Sequence, residues 1–225
     1  MPEKSSVFDM IGPVMIGPSS SHTAGVVRIA RAARRVLGGR PDVVDITFYN
    51  SFARTYEGHG SDRAIIAGLL DYKTDDKRIK DALDLAKAEG MVYRFKSVGN
   101  ASALHPNTIK LNLRKGENAV EVIGESRGGG MINIAEVDGF NAGFSANLHT
   151  VIITASDVKG SIAFIANVLA HDECNIATMS VSRKGKNEVA CLVIEMDSGV
   201  KDVTLAYLKS LSWVKQIIYI PDIDR

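Results

Sequence analysis

The sequence predicts an α+β fold in two domains, and three observations predict it. Helical patterns cluster early in the first half and strand patterns late, instead of alternating as in a regular βαβ series. The second half reads strand, helix, strand, strand, helix, strand over residues 148–225, the βαββαβ order of the ferredoxin-like split unit. Between the halves lies Gly139-Phe140-Asn141-Ala142-Gly143, a small and polar stretch. The boundary is placed at about residue 147, giving domains 1–147 and 148–225, and a chain of 225 residues has room for both.

Taken in order, Pro18-Ser19-Ser20-Ser21-His22-Thr23 reads as a loop before a helix. In that helix Val26, Val27, Ile29, Ala30, Ala33, Val36 and Leu37 recur at helical spacing, and Gly38-Gly39 closes it. Val43 to Phe48 is a β-rich run. Arg63 to Leu70 is a second helix opened by the loop Gly58-His59-Gly60-Ser61-Asp62, and Asp76 to Glu89 a third, closed by Gly90. Strand patterns follow at Val92 to Lys96, Asn107 to Leu113, Ala119 to Glu125 and Met131 to Val137. The second domain is predicted as strand Leu148–Thr154, helix Gly160–His171, strands Asn175–Ser182 and Glu188–Met196, helix Lys201–Leu211 and strand Val214–Ile220. Lys184-Gly185-Lys186-Asn187 supplies the turn of the middle hairpin. In Glu188–Met196 both alternating sets of side chains are largely apolar, which predicts two covered faces and association through this domain.

Twenty-seven Lys and Arg against 26 Asp and Glu leave a formal charge of +1, so there is no electrostatic case for a dedicated nucleic-acid or anionic-membrane binder. No run approaches the roughly 18 apolar residues of a membrane span. The start MPEKSSVFDM lacks the pattern of a secretory signal, so a cytoplasmic location is expected. Cys174 and Cys191, the two cysteines, have neither CxxC spacing nor the Cys/His spacing of a structural zinc site, so neither a disulfide framework nor a metal site is expected in this chain.

Five segments could carry chemistry. Ser19, Ser20, Ser21, His22 and Thr23 put four hydroxyls and an imidazole at a helix entrance, where free N–H groups favour a carboxylate or phosphate; a plain capping loop would use the same residues. His59 stands between two glycines, exposed and approachable, with Ser61 and Asp62 following. Asp62 is expected to orient it, and imidazole suits proton abstraction near neutral pH; a solvated glycine turn is the alternative. His105-Pro106-Asn107-Thr108 holds His105 at a strand entrance. Ser126-Arg127-Gly128-Gly129-Gly130 offers a cation and an anion-compatible backbone, or simply a bulge. In the second half, Ser156 to Ser161 joins strand to helix, so that Asp157 faces an ammonium and the helix N–H groups after Gly160 a carboxylate.

GPSSSHTAG at 17–25, GHGSD at 58–62, HPNT at 105–108 and the glycine triplet at 128–130 together resemble the β chain of bacterial iron–sulfur-dependent L-serine dehydratase. The C-terminal βαββαβ unit is similar to an ACT domain. The first half also resembles the allosteric substrate-binding domain of some phosphoglycerate dehydrogenases. The resemblance therefore implies an allosteric-substrate-binding-like α/β domain over 1–147 followed by an ACT domain over 148–225.

The implied activity is conversion of L-serine to pyruvate and ammonia. The implied cofactor is a [4Fe-4S] cluster ligated by a partner α subunit, since two cysteines cannot build that site. Loss of water from serine requires removal of a weakly acidic α-proton and departure of hydroxide, so a base and a Lewis acid are both needed. On the family motifs, His59 and His22 are the implied catalytic residues. Ser19, Ser20, Ser21, Thr23, Ser61, Asp62, His105 and Asn107 are implied to bind substrate, and Asp157, Gly160, Asn175 and Ile176 an effector. Ser61 stands where the family usually has Thr, and Lys159 where ACT loops commonly have Pro. The expected partners are the α subunit, L-serine and a second copy through the ACT domain. The competing expectation is a non-catalytic amino-acid-binding regulator.

Overall fold

The computed structural model describes residues 12–99, 103–185 and 188–223. Its two compact units divide between Asp138 and Gly139.

The first unit opens with a π-helical turn, Ser20–Ala24, that runs directly into α1, Gly25–Leu37. The expected loop is thus already helical at Ser20. Helix α1 is buried almost all round: Val26, Val27, Ile29, Ala30 and Ala33 are inaccessible, and even Arg28 and Arg31 are only 6% exposed. Arg31 and Arg35 both pair with Asp71, at 3.1 and 2.9 Å, and Gly38 in a left-handed conformation (φ 82°) ends the helix.

Strand β1 (Val43–Tyr49) leads into α2 (Asn50–Thr55), a helix too short to leave a periodic pattern in the sequence. Helix α3 spans Ser61–Leu69. The third expected helix is split into a 3-10 turn, Lys77–Asp81, and α4, Ala82–Ala88. The Asp76 carboxylate accepts from Arg78 N at 2.9 Å and starts that turn.

Strands β2 (Val92–Val98), β3 (Thr108–Lys115), β4 (Asn118–Gly128) and β5 (Met131–Val137) complete the unit. They are ordered β2-β1-β3-β4-β5, with β1 and β2 parallel and the other pairs antiparallel. Val44, Ile46, Phe48, Ile109, Leu111 and Leu113 alternate onto one buried face, and α1 packs on β4 and α3. The other face is polar, with Arg94–Asp45 and Lys110–Glu121 ion pairs.

The second unit begins with β6 (Phe140–Phe144), inside the stretch expected to be a boundary. Its Phe140, Ala142 and Phe144 are buried and Asn141 and Gly143 exposed, a period of two that small residues concealed. The residue-147 boundary falls beyond this strand. Then follow β7 (His149–Ser156), α5 (Ser161–His171), β8 (Ile176–Arg183), β9 (Val189–Met196), α6 (Asp202–Ser210) and β10 (Val214–Ile220), in sheet order β10-β7-β9-β8. This is the expected βαββαβ unit. Residues 186 and 187 of the expected hairpin turn lie outside the described residues.

Val151, Ile153, Leu192, Ile194 and Met196 pack with Ile165 of α5 and Leu208 of α6. The second face of β9 (Cys191, Val193, Glu195) is also buried, at 2, 2 and 6% exposure. Strand β6 lies against β8 and β9, and Ser145 donates from both N and Oγ to Glu195 Oε1 at 3.0 and 2.9 Å. Its own chain therefore contributes to that cover, and the two apolar faces of β9 do not by themselves require a second copy.

Candidate active site

Two segments distant in sequence meet at the start of α3. Ser61 is fully buried and its Oγ donates to His22 O at 2.8 Å, fastening the π-helical turn to the loop that carries His59. The two imidazoles consequently lie with ring centroids 4.9 Å apart at 35°. Phe52 of α2 presents its ring edgewise to His22 at 4.8 Å and forms an apolar wall of the site.

The hydrogen bonds fix the proton on two of the rings, because the partner atoms differ in what they can do. His59 Nδ1 lies 3.2 Å from Thr55 O. A carbonyl only accepts, so Nδ1 carries the hydrogen and Nε2 of neutral His59 keeps a lone pair. Sequence reasoning assigned this orienting role to Asp62; the Thr55 carbonyl holds it instead, a backbone atom that no side-chain motif reveals. His105 is the opposite case: its Nδ1 accepts from Asn107 N at 3.2 Å, which places the hydrogen on Nε2. Ser19 Oγ accepts from His22 N at 3.2 Å and stands 3.3 Å from His22 Nδ1, where a hydroxyl can serve either tautomer. His22 Nε2 is buried and meets no partner among the described residues. Burial first, and the neighbouring His59 second, hold His22 below the usual imidazole range.

The hydroxyls divide by role. Ser19 caps the π-helical turn, Ser61 clamps it, and Thr23, 2% exposed, leans toward His59 O at 3.5 Å. These three, expected to touch substrate, are spent on holding the loop. Ser20 and Ser21 make no hydrogen bond among the described residues, which leaves their hydroxyls available. Asp62 is half-buried with Oδ1 unpartnered, and burial raises its carboxyl above the usual range. His105 and Asn107 belong to a loop tied to the start of α2 by Ser51 N to Pro106 O, 2.9 Å, and by Asn50 Nδ2 to Leu104 O, 3.2 Å. His59, by contrast, hangs from the last residue of that helix.

Beside His59 opens a cavity of about 260 Å³, walled by Gly17, Pro18 and Thr23 on one side and by Gly58, Gly60, Arg63 and Lys80 on the other. Drug-sized ligands occupy about 300–1,000 Å³, so this volume suits a small metabolite. Arg63 and Lys80 escaped sequence reasoning because isolated surface cations carry no motif.

The residues expected to bind an effector are not gathered within one chain. Asp157 and Gly160 precede α5, whereas Asn175 and Ile176 follow it, about 16 Å away along an 11-residue helix. Asp157 is paired with Arg183 at 3.1 Å, Asn175 donates to Asp197, and Ile176 packs on the core. Nor does this chain offer a donor set for an iron–sulfur cluster. Cys174 belongs to the helix-side core and Cys191 to the opposite sheet face, so the thiols do not converge, and the described residues contain no other metal-ligating group.

Residues 6–93 match the family described as serine dehydratase beta chain. The chain is 46% identical over 217 residues to the probable L-serine dehydratase, beta chain, of Bacillus subtilis, covering 96% of this chain and 98% of that one. The chain belongs to the serine dehydratase β-chain family. Its members are subunits of a lyase. A second relative, the L-serine dehydratase, beta chain, of Peptoniphilus asaccharolyticus, is 34% identical and covers 85% of this chain and 87% of its own length. The ACT domain of the Chlorobium tepidum GTP pyrophosphokinase aligns over 32% of this chain and 95% of its own, with 18% identity and a TM-score of 0.27.

Proposed function

We propose that this chain is the β subunit of an L-serine dehydratase, and that it brings the proton acceptor to a site completed by an α subunit. One observation carries the reading: the Thr55 carbonyl holds the Nδ1–H of His59, so that Nε2 of the neutral ring keeps a lone pair beside the cavity. A base beside a small cavity can take the α-proton of serine, giving a carbanion-like centre from which the β-hydroxide departs. Loss of water leaves an aminoacrylate, which tautomerises to an imine that a second water hydrolyses to pyruvate and ammonia.

This chain's other residues position. Thr55 holds His59, Ser61 and Ser19 hold His22, and Ser20 and Ser21 offer free hydroxyls for the polar groups of the substrate. The two cysteines do not fit a cluster, so the [4Fe-4S] group expected for this family is assigned to the α partner. Association of two copies through the ACT-like unit belongs to the same proposal. It is supported by Ile162, Phe164, Val203 and Tyr207, which leave apolar surface exposed on α5 and α6. A cytoplasmic location agrees with the lack, among the described residues, of any helix long and apolar enough to cross a membrane.

The test is anaerobic coexpression with an α subunit and assay of pyruvate from L-serine. The complex is expected to turn over and the β chain alone to be inert. Turnover by the β chain alone, or serine binding without turnover in any α complex, would contradict the reading.

A further inference from the structure

The cavity beside His59 has an electrostatic character that the reaction described so far does not use. Arg63, at the start of α3, and Lys80, in the 3-10 turn, stand on its rim with exposed side chains. Among the described residues neither side chain makes an ion pair or a hydrogen bond. Other guanidinium groups are paired: Arg31 and Arg35 are held by Asp71, Arg40 by Glu89, Arg94 by Asp45 and Arg127 by Glu125. The one carboxylate in the cavity wall, Glu57, accepts the Tyr56 hydroxyl at 2.9 Å and is paired with no cation. Two cations, one on each of two separate elements, thus line the cavity that holds the base, with the Asp62 carboxyl beside Arg63.

A wall with a proton acceptor and two cations outside any ion pair suits a ligand that presents an acidic C–H and a negative charge together. An α-amino acid does so, with its carboxylate one bond from the carbon that loses the proton. A guanidinium offers a planar fork for a carboxylate and an ammonium a mobile point charge, so the pair can grip one carboxylate from two directions. The hydroxyls first expected to take that group are otherwise engaged in Ser19, Thr23 and Ser61. We infer that Arg63 and Lys80 bind the α-carboxylate of the substrate at the mouth of the His59 cavity and thereby set the requirement for an amino acid over an amino alcohol or amide. The inference rests on the dehydratase reading above.

The test uses the αβ complex with the double variant Arg63→Gln/Lys80→Gln. Both side chains are exposed, so the fold is kept. KM for L-serine is expected to rise at least tenfold, with kcat changed less than about threefold. In parallel, equilibrium dialysis follows L-alanine, which has the carboxylate but no hydroxyl to lose, and L-alaninamide, which lacks both. Wild type is expected to bind L-alanine far better than the amide, and the double variant to bind the two alike. An active complex in which the double variant leaves both KM and L-alanine binding unchanged overturns the inference while the dehydratase reading stands. A complex without turnover that still binds L-alanine through these two cations overturns the dehydratase reading and upholds the carboxylate site. No preference for L-alanine over its amide in wild type overturns the inference in either case.

Discussion

At the scale of single residues, the site is held by hydrogen bonds that leave little slack. Ser61 Oγ is a buried donor to a buried carbonyl, so Ser61→Ala orphans His22 O and should cost about 1–3 kcal/mol, read as a lowered urea midpoint with an unchanged m-value. Ser61→Thr retains the hydroxyl and should recover most of it. His22 ties stability to pH. Its folded pKa lies below the unfolded value of about 6.5, so near that value the unfolded chain binds the proton more readily. Stability is thus full above about pH 6.5 and falls as the pH drops toward the folded value. Urea titrations at pH 8 and pH 5.5 should show a loss in wild type that is smaller in His22→Gln; equal losses would place the titration elsewhere. The motif residues themselves were legible in the sequence, because glycines and hydroxyls around His22 and His59 mark approachable backbone. Which ring is the base was not. That depends on whether Nδ1 meets a carbonyl, as in His59, or an amide N–H, as in His105, and backbone groups carry no sequence signature.

At the scale of elements, the long periodic segments were readable and the short ones were not. Helix α1 announced itself through its apolar spacing and Gly38, and the strands of the second unit through alternation. Helix α2 has six residues and no repeating face, yet it supplies both Phe52 and the Thr55 carbonyl. Strand β6 was hidden because two of its five residues are Gly and Ala. Helix crossing explains one glycine. A side chain at Gly68 would collide with Val27 O and Ala30 Cβ where α3 crosses α1. Gly→Ala in a helix ordinarily gains up to about 1 kcal/mol, but overpacking costs about 1–3, so Gly68→Ala should destabilise and blunt activity by moving α3 and the loop before it. In the second unit Glu195 accepts from Ser145 N, Ser145 Oγ and Thr178 Oγ1. Glu195→Ala strands those donors and should speed hydrogen exchange at the Ser145 amide, whereas Glu195→Gln, which keeps acceptor oxygen, should do so less.

At the scale of the whole molecule, each unit has its own core, and the proposed site lies in the first. The sequence revealed this division through the change of pattern between its halves and through family motifs spread from Gly17 to Gly130. It misjudged why the second sheet is apolar on both faces: β6 and Ser145 lie on the far face of β9, a contact between segments far apart in sequence. The thiols of Cys174 and Cys191 lie on opposite sheet faces and do not converge, which fits the proposal that the cluster belongs to an α partner. The central claim is that this half contributes the base, His59. Its most direct test is the rate of pyruvate formation from L-serine by the anaerobic αβ complex carrying His59→Ala, with and without added imidazole. The account predicts that kcat falls by about 10²–10⁴, as for loss of a general base, and that imidazole restores part of it. A His59→Ala complex that turns over near the wild-type rate would contradict it.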